Sequence, residues 1–228
     1  MKKSLLFFGD SFTEGHFLKK TNQVWPKLIH TAFPNFNYSN LGSGGASNIF
    51  ILKQVITNLS QINKGDIVTI FETSPIRTEI YSPQYKKVIP TTGNIVSRSL
   101  KDKKYLDIFD TKEKALSLFN FTYDHRYDYY EEFGEFYTEL FLDIGKYIEA
   151  KGASFFLYTN KKFEKQKDKY ENYTTLSNGK VVDEHWTPKG NYDFAKYFLS
   201  KYIHKKFPQA KLSDNIDMSN FGKMHILI

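Results

Sequence analysis

The sequence predicts a three-layer α/β/α sandwich built on a flavodoxin-like parallel sheet. Two observations carry that prediction. Apolar runs of strand length alternate with stretches of helical periodicity, the pattern of βαβ units with right-handed crossovers. The first and third runs, Ser4–Phe8 and Asp66–Phe71, are near-continuously apolar, as parallel strands covered by helices on both faces are.

Taken in order, Ser4-Leu5-Leu6-Phe7-Phe8 reads as the first strand, and Asn22–Phe33 as a helix with Val24, Leu28, Ile29 and Ala32 on one face. Phe36–Leu41 follows as a second strand, closing one βαβ unit. Asn48–Leu59 is helical through Ile49, Ile51, Leu52, Val55, Ile56 and Leu59, and Asp66–Phe71 is the third strand. Periodicity returns in Phe133, Phe136, Tyr137, Leu140, Phe141, Ile144, Tyr147 and Ile148, before a strand at Ala153–Tyr158. Thr187-Pro188 supplies the cap and first turn of a last helix running to about Lys205. Between 77 and 130 the pattern lapses into mixed polar and aromatic sequence with Pro83 and Pro90, too long for an ordinary connection. It is expected to be an insertion over the carboxyl edge of the sheet. Residues 208–228 form a polar tail ending in Met224-His225-Ile226-Leu227-Ile228.

The chemistry concentrates at two places. Gly9-Asp10-Ser11 follows the first strand and presents Ser11 at the sheet's carboxyl edge, where open α/β folds bind ligands. A serine hydroxyl needs an imidazole to take its proton and a carboxylate to set the imidazole's tautomer. Asp183-Glu184-His185, near the other end, supplies both. Glu184 is the rival acid, but adjacent side chains diverge, which favours Asp183. Alone, Gly-Asp-Ser is also an ordinary turn and helix cap.

Joined to Asn40-Leu41-Gly42-Ser43-Gly44-Gly45-Ala46-Ser47, these segments resemble the SGNH or GDSL hydrolase superfamily over nearly the whole chain. The resemblance implies the SGNH hydrolase fold and a triad of Ser11, Asp183 and His185. It also implies an oxyanion hole made by the N–H groups of Ser11 and Gly45. Two departures stand out. The acid and histidine are spaced Asp-x-His-Trp, where the family usually has Asp-x-x-His; similar spacing occurs in SGNH-like polysaccharide O-acetyltransferases. The block after the third strand reads Phe71-Glu72-Thr73-Ser74-Pro75-Ile76-Arg77 and lacks the family's asparagine donor. Either Thr73 or Ser74 replaces it, or Ser11 and Gly45 suffice. Asp10 and Arg77, at the same edge, are assigned to substrate contact, and Arg77 with Glu79 has a surface pair as its rival reading.

With 228 residues the chain fits a single domain, burying roughly 70–75% of its unfolded surface. It has no cysteine, which excludes disulfides, thiolate zinc sites and cysteine nucleophiles. Met1-Lys2-Lys3 precedes an apolar stretch too short for a signal or a membrane span, so a cytoplasmic protein is expected. Lys and Arg number 32 against 25 Asp and Glu, a formal charge of +7. The excess is scattered among acids and no recognition motif accompanies it, so no nucleic-acid partner is expected. Neither a dinucleotide fingerprint nor a phosphate-binding loop nor Gly-x-Ser-x-Gly is present. His16, His30, His125, His204 and His225 show no metal-ligand spacing, so no metal and no cofactor are expected. His16 is a surface residue or lines the pocket. The cluster Phe121, Tyr123, Tyr127, Tyr129, Tyr130 and Phe133 suits core packing or the stacking of sugar rings.

The expected function is cleavage of a short acyl ester, acetyl foremost, on a small molecule or glycan. Acyl transfer to a sugar hydroxyl through the same triad is the near alternative. A noncatalytic glycan-binding module on the same fold is the distant one.

Overall fold

The computed structural model describes residues 2–16, 18, 20–82, 87–91, 111–120, 128–178 and 183–213. The order begins β1 (Ser4–Gly9), α1 (Ser11–Glu14), α2 (Trp25–Thr31), β2 (Asn37–Gly42), α3 (Asn48–Asn58) and β3 (Ile67–Phe71). It continues with β4 (Thr78–Ser82), β5 (Lys87–Thr91), α4 (Lys112–Asn120), α5 (Tyr130–Ala150), β6 (Ser154–Tyr158), α6 (Asn160–Glu164), α7 (Tyr173–Leu176) and α8 (Pro188–Lys201).

The main sheet has the order β2-β1-β3-β6 and every pairing in it is parallel. That is the flavodoxin-like order through its fourth strand. Because successive side chains of a strand point to opposite faces, the sheet builds a core on each side. Leu5 and Phe7 of β1, Phe71 of β3 and Tyr158 of β6 pack with Trp25, Leu28 and Ile29 of α2 and with Phe194 and Phe198 of α8. Leu6, Phe8, Val68 and Ile70 pack on the other face with Ile51 and Val55 of α3 and Tyr137, Phe141 and Ile148 of α5. The three expected layers are therefore α2 and α8, the sheet, and α3 and α5.

The helix starts follow their local sequence. Ser47 Oγ accepts the Phe50 N–H at 3.1 Å to open α3, and Thr187 Oγ1 accepts the Gly190 N–H at 3.2 Å to open α8 with Pro188 in its first turn. The last helix is shorter than the sequence pattern suggests, because a 3₁₀ turn at Ile203–Lys205 completes the segment.

Within the expected 77–130 insertion the structure adds an antiparallel hairpin, β4 with β5, and the helix α4. Pro90 lies inside β5, opposite Glu79. A two-stranded ribbon consists of edge strands, which tolerate the missing proline N–H. Residues 83–86, 92–110 and 121–127 of that insertion, including Phe121, Tyr123, His125 and Tyr127, lie outside the described residues, as does most of the 208–228 tail.

The four parallel strands end together at Gly9, Gly42, Phe71 and Tyr158. The segments that follow them bring Asp10-Ser11, Ser43–Ser47, Glu72–Arg77 and Asn160 to one edge.

Candidate active site

Ser11 is the first residue of α1, directly past the end of β1. Asp10 caps that turn from extended backbone, its Oδ1 accepting the Phe12 N–H at 3.0 Å. Ser11 is only 5% exposed, and its Oγ lies 2.8 Å from Nε2 of His185. On the other side of the ring, His185 Nδ1 lies 2.8 Å from Asp183 Oδ1. An ionised carboxylate can only accept, so Nδ1 carries the ring proton and Nε2 is left to accept from the serine hydroxyl. Burial by itself would raise the Asp183 pKa. The hydrogen bonds from the His185 ring and backbone N–H, helped by the charges of His185 and His16, outweigh it and hold the carboxyl below its ordinary value.

The Asp-x-His loop is clamped by a segment that sequence periodicity does not reveal. Residues 171–174 run antiparallel to it, with a single bridge between Asn172 and Trp186. Tyr173 N–H donates to His185 O at 3.1 Å, Thr174 N–H to Asp183 O at 2.9 Å, and Thr187 N–H to Glu171 O at 3.0 Å. The Thr174 hydroxyl completes the clasp by accepting the Asp183 N–H at 2.7 Å and donating to Asp183 O at 2.8 Å. Gly190 is required by the same contact: a Cβ there would sit 2.0 Å from Glu171 O. The imidazole itself lies against the buried Phe12 ring, with centroids 4.7 Å apart and planes 21° from parallel.

Glu184, the rival acid, turns away and pairs with Lys167 at 2.8 Å. His16 stands beside the dyad, its ring centroid 5.1 Å from that of His185, with Glu14 3.8 Å from its Nδ1. Burial, then the neighbouring His185 charge, lowers the His16 pKa against the opposing pull of Glu14 and Asp183.

On the oxyanion side, Gly45 adopts φ +75°, a left-handed turn that glycine enters without a Cβ clash. Among the described residues, neither the Ser11 N–H nor the Gly45 N–H donates a hydrogen bond. The hydroxyls considered as substitutes for the missing asparagine are engaged elsewhere. Thr73 donates its Oγ1 hydrogen to Asp10 Oδ2 at 2.9 Å and its backbone N–H to Asn48 Oδ1 at 2.9 Å. Ser74 lies beside Tyr130, whose hydroxyl accepts from Asn160 Nδ2 at 2.6 Å.

The two residues assigned to substrate contact are placed differently from that expectation. Asp10 is 3% exposed, with Oδ1 on the Phe12 N–H and Oδ2 shared between Thr73 and Arg77 Nη1, the latter at 2.8 Å. A helix-cap carboxylate directed inward in this way is not presented to a ligand. Arg77 turns with it toward the protein and, among the described residues, pairs with Asp10 rather than with Glu79, which instead accepts from the Ser47 hydroxyl at 2.7 Å.

Glu72, at the end of β3, was not anticipated. It is 1% exposed, with Oε2 accepting from the Thr138 hydroxyl at 2.8 Å and the Asn160 N–H at 3.2 Å. Oε1 has no partner among the described residues. Burial, only partly offset by those two hydrogen bonds, pushes its pKa from 4.5 up to about 7. In the unfolded chain Glu72 ionises near 4.5; in the folded protein it stays protonated until about 7. The folded state therefore binds more protons across that window, and stability falls as pH rises through it, by about 3 kcal/mol for a shift of this size. Glu72→Gln is expected to flatten the decline of Tm between pH 5 and 8, as read by thermal denaturation; parallel Tm curves for the variant and wild type would contradict this.

In comparisons with known proteins, no family model and no curated protein matches the chain. Among solved structures it is similar to a crystal structure of a member of the lipolytic protein G-D-S-L family from Veillonella parvula. The two are 15% identical, with a TM-score of 0.39, over 88% of this chain and 98% of that one.

Proposed function

We infer that the protein is a serine hydrolase that cleaves a short acyl ester, acetyl foremost, from a carbohydrate or similar polyol. The observation that carries this reading is the unbroken line Ser11 Oγ to His185 Nε2 to Asp183 Oδ1, with both contacts at 2.8 Å. Those are the distances at which an imidazole serves as general base. In the reaction, Ser11 Oγ attacks the acyl carbon while its proton passes to His185 Nε2. Asp183 stabilises the imidazolium, and the carbonyl oxygen becomes an oxyanion held by the N–H groups of Ser11 and Gly45. His185 returns the proton to the leaving alcohol, and water then releases the acid by the same base.

The alcohol must leave on the side of the imidazole that protonates it. Beside the imidazole, among the described residues, stand His16 and its partner Glu14, with side chains 46% and 47% exposed. Hydrogen-bonding groups in that position favour a hydroxyl-rich alcohol. Ser11 is only 5% exposed, which favours a small acyl group.

The test is a panel of acetyl, butyryl and octanoyl nitrophenyl esters and a peracetylated sugar, assayed with and without a free sugar acceptor. The reading expects acetate release that declines with acyl length. New sugar esters formed only when acceptor is present would move the reading to acyl transfer. No turnover of any ester would remove it.

A further inference from the structure

We propose that Arg77 is a positioning residue for the oxyanion hole, acting through Asp10 to hold the Gly45 turn against the Ser11 helix start. This rests on the hydrolase reading above and assigns to the segment after β3 the work that a direct asparagine donor would do.

Asp10 is joined to Ser11 by a peptide bond and fixed by its own cap, Oδ1 on the Phe12 N–H at 3.0 Å. Its second oxygen receives Arg77 Nη1 at 2.8 Å and the Thr73 hydroxyl at 2.9 Å. The same Nη1 lies 3.5 Å from the carbonyl of Ala46, the residue after Gly45. Two further ties run from this segment to the same turn. Asn48 exchanges both of its amide groups with the Thr73 backbone, at 2.9 and 3.0 Å, and Glu79 accepts from Ser47 at 2.7 Å. The strip from Thr73 to Glu79 thus grips the turn from Ala46 to Asn48 while two of its side chains, Thr73 and Arg77, grip the residue before the nucleophile.

The position of the two N–H groups relative to each other is what an oxyanion hole needs, because its donors act only if they are fixed where the charge develops. The side chains of Arg77 and Asp10 are 18% and 4% exposed, so the carboxylate has little access to water that could take the place of Arg77. A lysine would supply the charge but carries its donors on a flexible stem, without the rigid guanidinium plane that fixes Nη1 between the carboxylate and the carbonyl.

Removing a group that acts only on the transition state lowers kcat, leaves KM in place, and weakens a transition-state analogue in step with kcat/KM. Arg77→Gln is therefore expected to lower kcat for nitrophenyl acetate about 10- to 100-fold at constant KM. The inhibition constant of a trifluoromethyl ketone, whose hemiketal oxygen occupies the hole, should rise by the same factor. Arg77→Lys should recover part of both. Because Arg77→Gln leaves a buried carboxylate without its counter-charge, which costs folding stability, the double variant Asp10→Asn/Arg77→Met is made beside it. Asparagine caps a helix as well as aspartate does, and the pair carries no charge. The same loss of kcat and of analogue affinity is expected there.

A folded variant with wild-type kcat would overturn the proposal. A raised KM at unchanged kcat would overturn it in favour of direct substrate contact. If wild type proves active and dependent on Ser11 while these variants match it, only the positioning role fails. An inactive wild type would remove the hydrolase reading and this proposal with it.

Discussion

Ser11→Ala will lower ester turnover by about 10³-fold or more while leaving Tm close to wild type. A triad member acts as a unit with its partners, and losing one costs nearly as much as losing all. The hydroxyl is enclosed, and its hydrogen-bond partner is His185 Nε2 at 2.8 Å, so removing it takes away one polar contact and no packed carbon. The fold has no other use for that oxygen. The check is steady-state kinetics on a short nitrophenyl ester with thermal denaturation of the same preparation. Turnover above about 1% of wild type would contradict nucleophilic attack by Ser11.

Asp183→Asn is expected to cost about 10³ to 10⁴ in kcat. The substitution keeps shape but lets an amide N–H face His185 Nδ1. The imidazole then moves its proton to Nε2, the atom that must accept from Ser11. The backbone clasp from Thr174 to Asp183 uses main-chain groups and the threonine hydroxyl, so the loop itself should survive. Glu184→Gln serves as the control and should cost less than about tenfold, since its carboxylate is on Lys167 and an exposed ion pair contributes little. Reversed magnitudes in parallel kinetics would transfer the acid's role to Glu184.

The elements that sequence reading located well are those whose signal is local. β1 and β3 stand out because both faces are buried, so their apolar runs are nearly continuous. β2 was legible despite its half-exposed surface, because it closes a βαβ unit. α5 is identified by its long periodic stripe, although the helix begins at Tyr130, ahead of the first apolar position. The β4–β5 hairpin was hidden by Pro83 and Pro90, which read as breakers when no ladder is assumed.

At the site, the residue types of Ser11, Asp183 and His185 and their order along the chain were enough to bring them together on paper. What supports them was not visible, because it is made of contacts distant in sequence and without period. Thr174 acts through backbone groups of a loop. Asn48 meets Thr73 only after two crossovers have placed the ends of β2 and β3 on either side of β1. Asp10 reads equally as a ligand contact or a cap. Arg77 decides between them, since its guanidinium at 2.8 Å fixes the carboxylate inward. Glu72 could not be read from sequence, since a glutamate at a strand end is ordinarily solvated and its burial depends on α5 and α6 closing over it.

The claim at the centre of this account is that His185, oriented by Asp183, makes Ser11 a nucleophile. It is tested most directly by incubating the wild-type protein with a fluorophosphonate and mapping the adduct by peptide mass spectrometry. The account predicts one phosphonyl group per chain, attached to the peptide containing Ser11, and none after His185→Ala. An ester-cleaving preparation that takes no label, or carries it on another residue, would contradict it.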